Sequence, residues 1–180
     1  KLYLIFMAAQ IDYKINLSKK NTSNTIVFVD EKFNISGLKK YLLSSDYSFI
    51  SDLIKTKDIK KKILAFDISS KKKIVLISFK NNIRGSDAEN LGAKFYDICK
   101  EFKQSEFTLN SDSLAKEKNL GYFLHGVRLK SYSFEKYKTK KNKTSIFIFV
   151  IGKNIPSIKD QTKFNSVEKG TFYTRDLVSE

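Results

Sequence analysis

The apolar positions of this chain fall into two rhythms, and the rhythms alternate. IDYKINL (11–17) alternates apolar and polar residues, the pattern of a half-buried strand, and NTSN follows it as a turn. TIVFVD (25–30) is apolar almost throughout, which suits a strand covered on both faces of a parallel sheet. ISGLKKYLLSS and DYSFISDLIKT carry helical spacing, with Asp46 placed to cap the second helix. KILAFDI (62–68) and KIVLISF (73–79) read as strands, and the lysine-rich link between them predicts a hairpin. The clearest helix begins at Ser86. There SDAE has the form of a capping box, with Ser86 capping the amide of Glu89 and Glu89 reaching back. Ala88, Leu91, Phe95, Ile98, Cys99 and Phe102 then share one face.

SEFTLN (105–110) predicts a further strand, and a helix follows from about residue 112 to about residue 130, with Leu114, Leu120, Phe123, Leu124 and Val127 apolar. SIFIFVI (145–151) is another buried strand, and NIPSIKDQ reads as loop. The last sixteen residues, 165–180, read as a helix that runs to the end without a C-cap glycine, as if more protein should follow. Alternating strands and helices predict an α/β domain: a mixed, mostly parallel sheet flanked by helices on both faces. No internal repeat and no Pro/Gly/Ser linker divides it. Residues 1–6 read as an upstream extension ahead of Met7, and residues 7–164 as one α/β domain.

Composition adds a charge question. The 180 residues carry 34 basic and 19 acidic side chains, a formal net charge of +15, which attracts polyanions at long range. Only Arg84, Arg128 and Arg175 are arginines. Base reading and bidentate phosphate clamping favour arginine, so the lysine excess argues for solvation and weak electrostatic affinity rather than sequence-specific DNA recognition. The stretch GVRLKSYSFEKYKTKKNKTS (126–145) concentrates the question, because it interleaves lysines with Tyr132, Phe134 and Tyr137. Its candidate DNA or polyanion contacts are Lys136, Lys138, Lys140, Lys141 and Lys143.

Candidate chemistry is sparse. Cys99 is the single cysteine, so no internal disulfide forms and a reducing compartment is expected, and its place in an apolar stripe reads as a buried thiol. His125 is the single histidine. A Cys–His couple is formally possible, but a surface or cap histidine is the better reading. No stretch approaches membrane length. No GxGxxG or GxxxxGK[ST] loop, HExxH or CxxC is present. In NNIRGSDAEN a glycine precedes a helix start, where an anion could bind, though a turn plus cap explains it equally. Asp30 and Asp67 follow buried strands, a position that catalytic groups use in open sheets, and strand-end turns account for them more simply. The residues alone contain no catalytic constellation, so no catalytic or metal-binding residue is assigned.

Two motifs carry a resemblance. SYSFEKYKTKK (131–141), after a helix and before a strand, resembles a segment of the leucine (cytosol) aminopeptidase family, and GTFYTRDLVSE (170–180) resembles the helix entering that family's junction between its two domains. The matching positions are Tyr132, Phe134, Lys136, Tyr137 and Lys138 in the first, and Arg175, Asp176 and Leu177 in the second. Elsewhere, and above all in the first hundred residues, the match is one of pattern. The resemblance implies a macro-domain-like N-terminal domain of a cytoplasmic, hexameric metalloaminopeptidase, with residues 165–180 starting the interdomain helix. It also implies a separate catalytic domain on the same chain, holding two divalent metals, manganese or zinc, around an NTDAEGR motif. That motif is absent here, and SDAEN (86–90) lacks its Gly-Arg. The implied role is non-catalytic, with the basic stretch solvated or interdomain and weak DNA binding as the alternative. The absence of a glycine-rich phosphate loop argues against nucleotide binding.

Overall fold

In the computed structural model, residues 9–13, 24–58, 60–102, 105–114, 117–133 and 145–179 are described. Six strands form one sheet: β1 Ala9–Tyr13, β2 Thr25–Val29, β3 Ile63–Ser69, β4 Lys72–Ser78, β5 Glu106–Asn110 and β6 Ile146–Ile151, in the order β1-β6-β5-β2-β4-β3. Every neighbouring pair is parallel except the β3–β4 hairpin. The helices are α1 Ser44–Leu53, α2 Gly85–Lys100, α3 Glu117–Ser131 and α4 Ile158–Ser179. The mixed, mostly parallel sheet flanked on both faces is the expected architecture.

The apolar run of β2 shows why. Ile26 and Phe28 join one core cluster with Phe95 of α2 and Phe123 of α3. Val27 and Val29 point the other way, into a second cluster with Leu38 and with Ile50 of α1. A strand that feeds two cores has no position to give to a polar residue. Burying each of these side chains contributes about 1.5–3 kcal/mol. Phe28 meets Phe79 and Phe123 edge-on, with centroids 5.2 and 5.5 Å away. The apolar stripe of α2 behaves as its spacing predicts. Cys99 is buried within it, and burial pushes its thiol well above the ordinary range, so it is inert.

Several local expectations fail, each for a physical reason. Residues 36–40 form a 3₁₀ turn rather than part of an α-helix. Asp46 lies in the first turn of α1, behind an N-cap at Leu43, and pairs with Lys72 Nζ at 2.5 Å across to β4. The capping box at Ser86 is not formed. α2 starts at Gly85 behind Arg84, without a side-chain cap, and the Glu89 side chain is engaged elsewhere. Asp67 lies inside β3 rather than at its end, paired with Lys73. The helix expected from residue 112 is a 3₁₀ turn over Ser111–Ser113 followed by α3. α4 begins at Ile158, inside the stretch read as loop. Its start is capped by Ser157, whose Oγ accepts from the amide of Asp160 at 3.1 Å and donates to the Asp160 carboxylate at 2.7 Å. The part of the first predicted strand beyond Tyr13, and residues 1–6, lie outside the described residues.

Candidate functional site

The two motifs at opposite ends of the last third of the chain meet in space. Tyr132, the residue after α3, donates its phenolic hydroxyl to Asp176 Oδ1 of α4 at 2.5 Å. Its ring stacks on Phe172, with centroids 5.2 Å apart and planes at 20°. Arg175 lies over the other contacts of this knot: its guanidinium is 5.4 Å from the Tyr132 ring centre, and Nη1 donates to the Leu129 carbonyl at 2.8 Å. Burial first, and then the Asp176 carboxylate, push the Tyr132 phenol up to about 12. The phenol therefore stays protonated as a donor at neutral pH. Leu177, the next motif residue, is half exposed at 54%. Phe134, Lys136, Tyr137 and Lys138 of the first motif lie outside the described residues, as do the candidate polyanion contacts Lys140, Lys141 and Lys143.

One and two turns back along α3, the same seam continues with polar contacts. Arg128 Nη1 donates to Asn165 Oδ1 at 2.7 Å and to Glu168 Oε2 at 2.9 Å, and Glu168 is only 3% exposed. His125 is buried, against the expectation of a surface or cap histidine. Its Nδ1 donates to Glu89 Oε1 of α2 at 2.7 Å, and its ring packs 5.0 Å from Phe164 of α4. Glu89 thus reaches sideways to a neighbouring helix instead of back to its own N-terminus. No Cys–His couple exists, because Cys99 is buried in the apolar core cluster while His125 turns to Glu89 and Phe164.

These groups hold α4 against α3. Among the described residues no three of His, Cys, Asp and Glu converge to hold a metal. The strand ends show the same economy. A cleft of about 290 Å³ opens beyond β2 and β4, bordered by Asp30, Tyr41, Lys80 and Asp112 together with Phe28, Leu38 and Phe79. Asp30 Oδ1 accepts from the amides of Lys32 and Asn34, at 3.0 and 2.9 Å, and so organises the turn in which Phe33 adopts φ 55°. Asp112 Oδ1 accepts from the amides of Lys153 and Asn154. Sequence reasoning missed the Arg128–Glu168 and Glu89–His125 pairs. Only the spacing of His125 and Arg128 on one helix face hinted at a shared polar seam.

Comparison with solved structures points the same way as the motifs. The chain matches a tomato leucine aminopeptidase variant with TM-score 0.69 and 13% identity, over 96% of this chain and 38% of that one. It matches the cytosol aminopeptidase of Coxiella burnetii with TM-score 0.59 and 15% identity, over 96% of this chain and 33% of that one. The fold is shared with leucine aminopeptidases. This chain therefore spans about a third of the length of these aminopeptidases. The macrodomain of Thermus aquaticus DarG also superposes, with TM-score 0.51 and 8% identity, over 81% of this chain and 99% of that one. No family model and no curated protein sequence matches the chain. Among the described residues no helix is long and apolar enough to cross a membrane.

Proposed function

We propose that this chain is the N-terminal, non-catalytic domain of a cytoplasmic, metal-dependent leucyl aminopeptidase that removes N-terminal residues from peptides. The observation that carries the reading is the superposition over 96% of the chain on about a third of a leucine aminopeptidase. The junction of Tyr132 with Arg175 and Asp176 supports it, since both motifs of the resemblance build that contact. On this reading residues 165–180 belong to the interdomain helix, the hydrolytic centre with its two divalent metals, manganese or zinc, lies in another domain, and the whole protein is a hexamer. The described residues offer no ligand set for those metals, so no step of peptide hydrolysis is assigned to them.

The test has two arms. Intact-mass analysis of the native protein from its source cells is expected to place these residues in a polypeptide about three times as long, which hydrolyses a leucyl anilide once manganese or zinc is supplied. The 180-residue chain on its own is expected to show no turnover. A native species of this length, or metal-dependent turnover by the chain alone, overturns the reading.

The net charge of +15 carries a second reading, a stand-alone basic domain that binds DNA without sequence preference. Duplex binding that vanishes between low and physiological salt would mark it as non-specific, and no duplex binding even at low salt would overturn it.

A further inference from the structure

The strand order β1-β6-β5-β2-β4-β3 reverses at β2: the chain leaves it for the β4–β3 side and returns to β5 on the other. Ile50 of α1 packs on one face of the sheet and Phe95 of α2 on the opposite face. In open α/β sheets a crevice opens where connections diverge in this way, outside the carboxyl ends of the strands, and ligands bind there. The cleft of about 290 Å³ lies at that place. It is bordered by Phe28 and Asp30 at the end of β2, by Phe79 and Lys80 after β4, and by Asp112 and Ser113 after β5. Its walls are tied to one another. Ser113 Oγ accepts from the amide of Phe28 at 2.9 Å, Ser78 Oγ donates to the Asp30 carbonyl at 3.2 Å, and the Tyr41 hydroxyl donates to the Asp112 carbonyl at 2.8 Å. The cleft is therefore preformed.

The bordering groups decide what fits. Asp30, Asp112, Lys40 and Lys80 are the charged ones, two of each sign, so no net formal charge selects an ion. Asp112 is a brace, held by the amides of Lys153 and Asn154 and by Tyr41. Lys80 is turned to Glu31 at 3.1 Å, and Lys40 Nζ lies 4.8 Å from the Tyr41 ring centre. Asp30 gives Oδ1 to two backbone amides and keeps Oδ2 as an acceptor. Asn34, Asn81 and Asn119 add three carboxamides. Asn34 Oδ1 accepts from the amide of Ser36, which leaves its NH₂. Among the described residues the Asn81 and Asn119 side chains carry no hydrogen bond of the fold. Asp30, Asn34, Lys40 and Asn81 are exposed and Asn119 is half-buried, so a ligand reaches them. A carboxylate only accepts, an ammonium only donates, and a carboxamide does both on separate atoms. A hydroxyl does both on one atom, so adjacent hydroxyls on a rigid ring answer all three groups. Leu38, Phe79 and Leu114 offer an apolar border to the C–H face of such a ring. We propose that this cleft is a binding site for a neutral monosaccharide, its hydroxyls donating to Asp30 Oδ2 and exchanging hydrogen bonds with the carboxamides of Asn81 and Asn119. The proposal goes beyond the aminopeptidase reading and is tested without it.

¹H–¹⁵N spectra of the chain report the Gly37 amide and the side-chain NH₂ groups of Asn34, Asn81 and Asn119, all of which border the cleft. Three probes of nearly one shape are titrated at mildly acidic pH: methyl glucoside, glucuronate and glucosamine, which are neutral, anionic and cationic there. Methyl glucoside is expected to move these four signals together, with half-saturation at about 1–10 mM, the strength that about thirteen non-hydrogen atoms supply. Glucuronate and glucosamine are expected to move them at least about tenfold more weakly. Asn81→Ala with Asn119→Ala removes no hydrogen bond of the fold, so melting should stay where it is while methyl glucoside weakens at least about tenfold, read from Gly37 and Asn34. Equal movement by all three probes overturns the proposal, and so does an undiminished response in the double variant. No movement with methyl glucoside at about 100 mM overturns it as well and would leave a solvent-filled cleft only. The wild-type titration decides the matter even if the variant does not fold.

Discussion

α3 is held on two sides by opposite means. Toward α2 it is held by the removal of atoms. A Cβ at Gly126 would lie 2.0 Å from the Glu89 carbonyl oxygen, and one at Gly92 would lie 2.0 Å from the Phe123 carbonyl oxygen. The two backbones touch, and the aromatic and aliphatic side chains of the core fill what remains. Toward α4 the same helix is held by long polar side chains and stacked rings: Arg128 with Glu168, Tyr132 with Asp176 and Phe172, His125 beside Phe164. Only Glu168 and Phe172 of the 22 residues of α4 are buried, so the hydrophobic effect does little to fix that helix. The contrast teaches that one helix can belong to a rigid core on one face and to an electrostatically set joint on the other.

The contrast is open to direct attack, and the largest effect belongs to the close-packed side. Gly126→Val places side-chain atoms inside the backbone of α2 and is expected to cost more than about 4 kcal/mol, read as loss of a cooperative urea transition. A mild loss would mean that the two helices part easily.

On the polar side, Arg128→Met leaves Glu168 buried without its cation and is expected to cost about 3 kcal/mol, with fast hydrogen exchange confined to α4. Replacing both partners by apolar residues, Arg128→Met with Glu168→Leu, should recover most of that loss. Failure to recover would show that the pair does more than satisfy itself.

Tyr132→Phe removes the hydrogen bond to Asp176 while keeping the stack, and about 1 kcal/mol is expected in thermal or urea melts. Its pH signature is sharper than its magnitude. The folded phenol titrates at about 12 against 10.0 for the free group, so its contribution is whole below pH 10 and is lost as pH rises through 12. Wild type should therefore lose stability across that alkaline window more steeply than the phenylalanine variant.

The smallest effect belongs to the outer face of α4. Leu177→Ser and Val178→Ser, at residues 54% and 83% exposed, should shift the stability of this chain by less than about 0.5 kcal/mol. The same changes should cost more in a longer protein whose further domain covers that face, which ties the comparison to the proposed aminopeptidase.

What the sequence determined by itself was the sheet and its burial. The apolar runs Ile26–Val29 of β2 and Ile74–Ile77 of β4 left no position for polar residues, so their placement between two layers followed from composition and period alone, whereas β6, read as equally buried, buries only its alternate residues Ile146, Ile148 and Val150. The stripe of α2 and the buried character of Cys99 were legible for the same reason. The two motifs also gave a resemblance to leucine aminopeptidases, and solved leucine aminopeptidases share the fold. Tertiary structure decided the rest wherever a side chain had two local options. Glu89 could cap its own helix or reach across to α3, and only the close approach allowed by Gly126 brings His125 within reach of it. Ser157 and Ser86 each stand three residues before a carboxylate at a helix start, yet only Ser157 caps the amide of its partner. The α4 seam was barely legible from the chain, because beyond the spacing of His125 and Arg128 its charged residues at helical spacing read as a solvated face. Their partners lie about 40 residues away on another helix, and no periodicity records a contact between two elements.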